Sequence, residues 1–248
     1  PLSEHSMMYL NERIDDLQRG GLRVIQRADA FRFGTDAVLL ADFAAPRRHD
    51  RVCDLGTGTG IIPLLLYARE NTISADAVEI QPDMADMAAR SMAMNGLNEK
   101  IRVLPGDLRS IRTLLPHARY DLVTCNPPYG KAGGTLLNPD ASKRLARHEE
   151  SCAIEDVACA AAWLLQNGGR LCCVFPAARM IELSDAMRKY RMAPKRIRMV
   201  HSRVEKAAHL CLMEGMLDAR PGLIIEPPLV IYDENNAYTP ELRRIYGL

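Results

Sequence analysis

Short apolar runs alternate along the chain with stretches of helical spacing. "RVCDL" (51–55) reads as a strand that runs directly into glycines, and "GIIPLLLYARE" (60–70) reads as the helix after it. "SADAVEI" (74–80) is the next strand. Pro82, at a favourable first helical position, opens a helix on which Met84, Met87, Ala88 and Ser91 recur at helical spacing. Asn95-Gly96 supplies its stop. "IRVLP" (101–105) and "YDLVTC" (120–125) are two further strands. "IEDVACAAAWLLQNGG" (154–169) reads as a helix closed by glycine, "GRLCCVFP" as a strand, "RMIELSDAMRKY" as a helix and "RIRMVHS" as a strand. "HLCLMEGML" and "LIIEPPLVIYD" complete the pattern as strands. Such alternation predicts an α/β fold, a largely parallel sheet with helices on both faces. Only residues 130–150 lack periodicity, and a loop of that length in a compact domain marks function or disorder.

Composition narrows the picture only a little. The 248 residues suffice for a single α/β domain. No apolar stretch approaches the ~20 residues of a membrane span, and "GIIPLLLYA" is short and carries a proline. The polar start lacks the build of a signal peptide, and Pro1 in place of Met suggests a cut boundary. A cytoplasmic location is expected. The seven cysteines are odd in number and scattered, with no Cys-x-x-Cys and no zinc-ligand spacing. They are expected to be small buried residues in a reducing compartment, with Cys172 and Cys173 on opposite sheet faces. The net charge of +1 is uninformative, but its distribution is not. Between Arg188 and Lys206 eight basic residues face one acid, Glu205, and Lys131, Lys143, Arg144 and Arg147 form a second basic group.

The chemistry lies at strand ends. "DLGTGTGIIP" begins at Asp54, and Gly56, Gly58 and Gly60 let the backbone turn sharply and a ligand approach closely. The G-x-G-x-G spacing is neither the dinucleotide fingerprint nor the phosphate-binding loop, and no lysine follows to neutralise a polyphosphate. A nucleoside-like cofactor of low negative charge is implied, and S-adenosylmethionine fits. Glu79, at the end of the next strand, is placed to accept hydrogen bonds from ribose hydroxyls, or alternatively to favour a helix N-terminus. Asp107 ends the third strand in "VLPGDLRS", where its carboxylate or the neighbouring backbone at Leu108 can hold an adenine amino group. The plain alternative is a Gly-Asp turn.

"NPPY" (Asn126, Pro127, Pro128, Tyr129) ends the fourth strand. Pro127 forces Asn126 into an extended conformation, and the prolines offer carbonyl acceptors without N–H donors. An exocyclic amino group on adenine is a poor nucleophile because its lone pair is delocalised into the ring. The Asn126 side-chain oxygen and the Pro127 carbonyl can each take one of its hydrogens and favour a tetrahedral nitrogen. Tyr129 offers a flat stacking face. Catalysis would then be positioning and electrostatics, without a covalent intermediate or a metal.

"DLGTGTG", Glu79, Asp107 and "NPPY" resemble the seven-stranded, Rossmann-like class I methyltransferases that use S-adenosylmethionine on amino nitrogens. "DDLQRGGLRVIQRADAFRFGTDAVLLADF" (15–43), "RHEE" (147–150) and "PPLVIYDENNAYTPELRRIY" (227–246) resemble bacterial tRNA adenine-N(6)-methyltransferases acting at position 37, beside the anticodon. The resemblance implies a single domain over 1–248 with an antiparallel C-terminal strand. Residues 1–45 would cover the cofactor pocket and residues 130–150 would form a substrate loop. It also implies that Phe33, Thr35 and Asp36 belong to that pocket, although Thr35 or Asp36 could equally be a helix N-cap. The partner implied is a tRNA anticodon arm, held by Lys131, Lys143, Arg144, Arg147, Arg196, Arg198, Arg203 and Lys206, with no membrane, no metal and no obligatory protein partner. A charge run can also be a plain solvated face.

The same motif serves protein glutamine-N(5) methyltransferases of the release-factor type, which usually carry a separate N-terminal helical domain. It also serves ribosomal-RNA guanine enzymes, often duplicated, and DNA adenine enzymes with large recognition domains. A non-catalytic RNA-binding factor on the same scaffold is the reading from a different class.

Overall fold

The computed structural model describes residues 9–28, 34–127 and 153–248. Its main sheet runs in the order β10-β8-β9-β7-β6-β3-β4-β5, with β11 also on β8. The central strands are β3 (Arg51–Leu55), β4 (Ser74–Glu79), β5 (Ile101–Pro105), β6 (Tyr120–Cys125) and β7 (Leu165–Pro176), and each neighbouring pair among them is parallel. β9 (Ala208–Leu217) lies antiparallel between β7 and β8 (Met192–His201). This is the expected mostly parallel sheet with an antiparallel strand near the C-terminus. Parallel strands need crossovers, and the helices supply them. α1 (Thr35–Ala44), α2 (Ile61–Arg69), α3 (Pro82–Met94) and α7 (Pro240–Tyr246) cover one face. α4 (Ile111–Leu114), α5 (Ile154–Leu164) and α6 (Met180–Lys189) cover the other.

Strand alternation divides the core. Val52 and Cys172 belong to the apolar cluster under α1 to α3, whereas Cys53 and Cys173 belong to the one under α5 and α6. No disulfide joins the six described cysteines. Burial pushes the thiols of Cys53, Cys172, Cys173 and Cys211 up, so they stay protonated as small core residues.

Four features differ from the pattern read along the chain. An antiparallel hairpin, β1 (Glu12–Asp16) and β2 (Arg23–Arg27), precedes α1. It docks on α3, where Ser91 Oγ accepts from Ile25 N at 2.9 Å, Asn95 Oδ1 accepts from Arg23 N at 2.9 Å and Arg90 grips Glu12 at 2.7 Å through two nitrogens. The N-cap of α1 is Gly34, with no side-chain cap, so Thr35 and Asp36 are first-turn residues. α5 stops at Leu164, not at the glycines, because Leu165 already pairs with Tyr120 across a bulge. Gly168, at φ 77°, helps the strand turn there. "LIIEPPLVIYD" is not one strand. Pro227 and Pro228 donate no N–H, and they separate β10 (Ile224–Ile225) from β11 (Leu229–Val230), each parallel to β8.

A buried ionic knot ties α1 to the sheet. Glu214 Oε2 on β9 accepts from Arg170 and from Arg196, each at 3.1 Å. Arg170 also donates to the Ala44 carbonyl at 3.0 Å, and Arg196 to the Phe43 carbonyl at 2.7 Å. Arg196 stacks over the Phe43 ring at 4.1 Å. Glu214→Ala leaves two guanidinium groups without their shared carboxylate. Asp50 and Glu226 still pair with Arg170 and Arg196, so the expected cost is about 1–3 kcal/mol, measured by urea denaturation.

Candidate functional site

The glycine loop joins β3 to α2 at the carboxyl edge of the sheet. Gly56, Gly58 and Gly60 sit at φ 69°, 58° and 82°, the left-handed region that a side chain disfavours. Gly60 is also the α2 N-cap, and a Cβ there would lie 2.5 Å from Met92 Cε and 3.2 Å from Ala88 Cβ on α3. Gly60→Ala therefore combines backbone strain with overpacking. A loss of about 1–3 kcal/mol in thermal unfolding is expected.

Glu79, only 4% exposed, holds this loop. Its Oε2 accepts from Gly58 N at 2.8 Å and its Oε1 from Gln81 N at 2.9 Å. Each carboxylate oxygen has a second lone pair, so the group can brace the loop and still accept from a ligand hydroxyl. Asp54 is fully buried below. Its Oδ1 accepts from Thr124 Oγ1 at 2.6 Å, while Asp54 Oδ2 and Thr57 Oγ1 are buried without a hydrogen-bond partner. Burial pushes the Asp54 carboxyl up to about 7, and the charge of Glu79 adds to the rise. The Thr124 and Thr57 hydroxyls oppose it, though Thr57 lies close without making a bond of good geometry.

Asn126 and Pro127 follow β6 directly. Asn126 shares one cavity of about 270 Å³ with Gly56, Thr57 and Gly58, and Gly34 and Ala37 of the α1 start form another wall. The cavity thus unites the glycine loop, the "NPPY" asparagine and the α1 N-terminus. Thr35 and Asp36 lie beside it rather than in its lining. The Thr35 hydroxyl accepts from the Tyr246 hydroxyl at 3.1 Å. Asp36 faces the start of β9, where its charge opposes the lowering of the His209 pKa by burial. Asp107 and Leu108 also lie outside that lining. The Asp107 carboxylate caps the short turn at Leu108–Ser110 by accepting from Arg109 N at 2.9 Å, and it pairs with the Arg109 guanidinium at 2.6 Å. That pair holds the Asp107 carboxyl below its usual range.

Gln26, Arg27 and Met84 complete the cavity and were not legible from the sequence. The docking of the β1–β2 hairpin on α3 brings Gln26 and Arg27 there, and Met84 comes from the first turn of α3 itself. Gln26 is nearly buried at 6% exposure.

Of the basic residues, Arg196 and Arg198 are engaged within the fold. Arg196 bridges Glu214 and Glu226, and Arg198 pairs with Glu241 at 2.7 Å and donates to the Pro227 carbonyl at 3.0 Å. The free basic face expected of these two is therefore replaced by ion pairs, because acids far away in sequence reach them. Arg203 donates to Asn236, and Lys206 is exposed. Phe33, Pro128, Tyr129, Lys131, Lys143, Arg144 and Arg147 lie outside the described residues. Among the described residues, no group of three or more His, Cys, Asp or Glu is placed to hold a metal, and no helix is long and apolar enough to cross a membrane.

The methyltransferase small domain family model matches residues 28–196. A tRNA1(Val) (adenine(37)-N6)-methyltransferase of Porphyromonas gingivalis is 32% identical over 231 residues, 89% of each chain. That of Tolumonas auensis is 34% identical over 216 residues, 86% of each. Among solved structures, a predicted O-methyltransferase of Agrobacterium tumefaciens superposes with a TM-score of 0.71 at 24% identity, covering 86% of this chain and 96% of that one. TrmN of Thermus thermophilus superposes at 0.54 and 24% identity, over 74% of this chain and 48% of that one. At such identity the two structures establish the fold alone. The chain belongs to the methyltransferase small domain family and, within it, groups with the bacterial tRNA1(Val) (adenine(37)-N6)-methyltransferases.

Proposed function

We propose that the protein transfers the methyl group of S-adenosylmethionine to the 6-amino nitrogen of adenine 37 in a tRNA, as the names of its relatives describe. The observation that carries this reading is the shared cavity of Asn126 and the glycine loop. It brings an amide acceptor beside a loop suited to a phosphate-free nucleoside. The residues fit the cofactor: glycines permit close backbone approach, Glu79 offers acceptors to ribose hydroxyls, and the buried carboxyl of Asp54 has an unpartnered oxygen. When bound, S-adenosylmethionine supplies an electrophilic methyl group on a sulfonium.

The chain's own residues do the rest. The Asn126 side-chain oxygen and the Pro127 carbonyl accept the two amino hydrogens and favour a tetrahedral nitrogen whose lone pair is withdrawn from conjugation with the ring. Tyr129 stacks on the base, and the released proton passes to solvent. Because the Asp107 carboxylate is held by Arg109, the cofactor's adenine amino group is assigned to the backbone at Asp107–Leu108. Phe33, Thr35 and Asp36 contribute to the cofactor side of the site, as part of an N-terminal segment on a single domain. Lys131, Lys143, Arg144 and Arg147 in the 130–150 loop, with Arg203 and Lys206 at the β8–β9 turn, position the anticodon arm through its phosphates. Arg196 and Arg198 support that surface from beneath. The enzyme acts on tRNA in the cytoplasm.

The test is methyl transfer from labelled S-adenosylmethionine to tRNA lacking the modification, followed by nucleoside analysis. A labelled N(6)-methyladenosine at position 37 supports the reading. Label appearing in a release factor or ribosomal RNA instead overturns the substrate and keeps the amino-nitrogen chemistry.

A further inference from the structure

The carboxyl edge of the sheet extends well beyond the cofactor cavity. β9 is antiparallel to both β7 and β8, so β8 runs parallel to β6 and ends on the same edge as Asn126. β11 is parallel to β8 and ends there too, and Tyr232 N donates to the Ser202 carbonyl at 2.9 Å just past both strands. Four strand spacings separate β11 from β6, about 19 Å at ~4.8 Å per strand. Tyr232 is thus a few nucleotides' reach from the target site, on the same side of the molecule.

Three tyrosines stack at this place. Tyr232 and Tyr238 lie 5.5 Å apart at 29°, and Tyr238 and Tyr246 lie 5.6 Å apart at 18°. The inner end is anchored, since the Tyr246 hydroxyl donates to Thr35 at the start of α1. The outer end is open. Tyr232 is 36% exposed, and it lines a cavity of about 690 Å³ to which neither Tyr238 nor Tyr246 contributes. Arg203 and Val204, the latter 79% exposed, line it too, and Lys206 lies on the same turn. Three acids, Glu205, Asp233 and Glu234, line it as well, and Asp233 Oδ1 is occupied by the N–H groups of Asn235 and Ala237. Proteins that hold single-stranded nucleic acid combine flat aromatic faces with adjacent cations.

We propose that Tyr232 is a stacking platform for an unpaired anticodon-loop base other than the target adenine. Arg203 and Lys206 meet the phosphates flanking that base. The proposal rests on tRNA being the substrate. The Tyr246–Thr35 bond links the platform to the cofactor side of the site, so RNA seated on Tyr232 is registered against the pocket where its neighbour reacts.

The experiment uses the full chain, S-adenosylmethionine and an anticodon stem-loop RNA carrying 2-aminopurine at loop positions beside the target. Tyr232→Ala and Tyr232→Leu are expected to raise the RNA Kd and KM by about 5- to 150-fold, the range of one base stack. They should also abolish the fluorescence quenching of one 2-aminopurine. The kcat at saturating RNA and the S-adenosylmethionine affinity should hold, and Tyr232→Trp should restore binding. The leucine variant keeps apolar contact on Tyr238, so it separates stacking from folding. A leucine variant that binds as well as wild type, or that loses cofactor affinity rather than RNA affinity, overturns the proposal alone. Wild-type protein that methylates no tRNA overturns the functional reading and this proposal together.

Discussion

Asn126→Ala is expected to lower kcat for methyl transfer by roughly 10²–10³-fold, the usual loss when one preorganised polar contact to the reacting atoms is removed. Cofactor affinity should stay within a factor of a few. The split follows from where Asn126 stands. It follows β6 immediately and is only partly buried, at the edge of a cavity whose floor is the glycine loop. The loop is braced from elsewhere: Glu79 holds Gly58 N, and the Val78 carbonyl accepts from Gly56 N at 2.9 Å and Thr57 N at 3.0 Å. Removing the amide therefore disturbs no bond that shapes the loop. It removes an acceptor for the amino hydrogens, which matters more in the transition state, where the nitrogen turns tetrahedral, than in the ground state. Single-turnover kinetics beside calorimetric titration of S-adenosylmethionine would check this. A variant with near-normal single-turnover rates would end the acceptor role, and one with equal losses in rate and cofactor affinity would make Asn126 a binding residue.

The parts of this fold that the sequence announces are those whose physics is local. Three glycines at alternate positions after an apolar strand do turn through positive φ, and Cys172 and Cys173 do face opposite layers, because a strand alternates. The hairpin of β1 and β2 escapes such reading. "ERIDD" and "RVIQR" are charged, and their stability comes from α3, through Ser91, Asn95 and Arg90 some 66 to 78 residues away. The presence of Gln26 and Arg27 in the cavity wall depends wholly on that docking. Arg196 fails differently. In the sequence it is one cation in a basic run, yet Glu214, Glu226 and the Phe43 carbonyl surround it in space. Charge density along a chain does not show which charges are already matched.

Asp54 carries the second large effect, and it runs against the usual behaviour of carboxylates. Its folded pKa of about 7 lies above the unfolded value of 3.8, chiefly because burial disfavours the charge. From about pH 4 to about pH 7 the folded protein without cofactor holds a proton that the unfolded chain has shed. Stability therefore falls as pH rises through that window, and the loss is complete above it. Three pH units correspond to roughly 4 kcal/mol at most. Asp54→Asn removes the ionisation while keeping an oxygen for the Thr124 hydroxyl. The cofactor-free variant is expected to unfold at higher temperature than wild type at pH 8, and the two should converge toward pH 4. Cofactor binding should move oppositely. S-adenosylmethionine carries a net positive charge, so its binding favours the Asp54 carboxylate. Wild-type affinity should weaken as pH falls below 7, by up to about tenfold per unit, with proton release seen by calorimetry in buffers of different ionisation enthalpy. The asparagine variant should bind more weakly and show no such slope. A wild-type affinity that stays flat from pH 5.5 to 8 would place Asp54 out of electrostatic reach of the cofactor. A variant no more stable at pH 8 would mean that Asp54 is ionised in the folded protein despite its burial. The expected combination makes Asp54 a carboxylate kept at a cost to folding, whose charged form would be favoured by the cation of a bound cofactor.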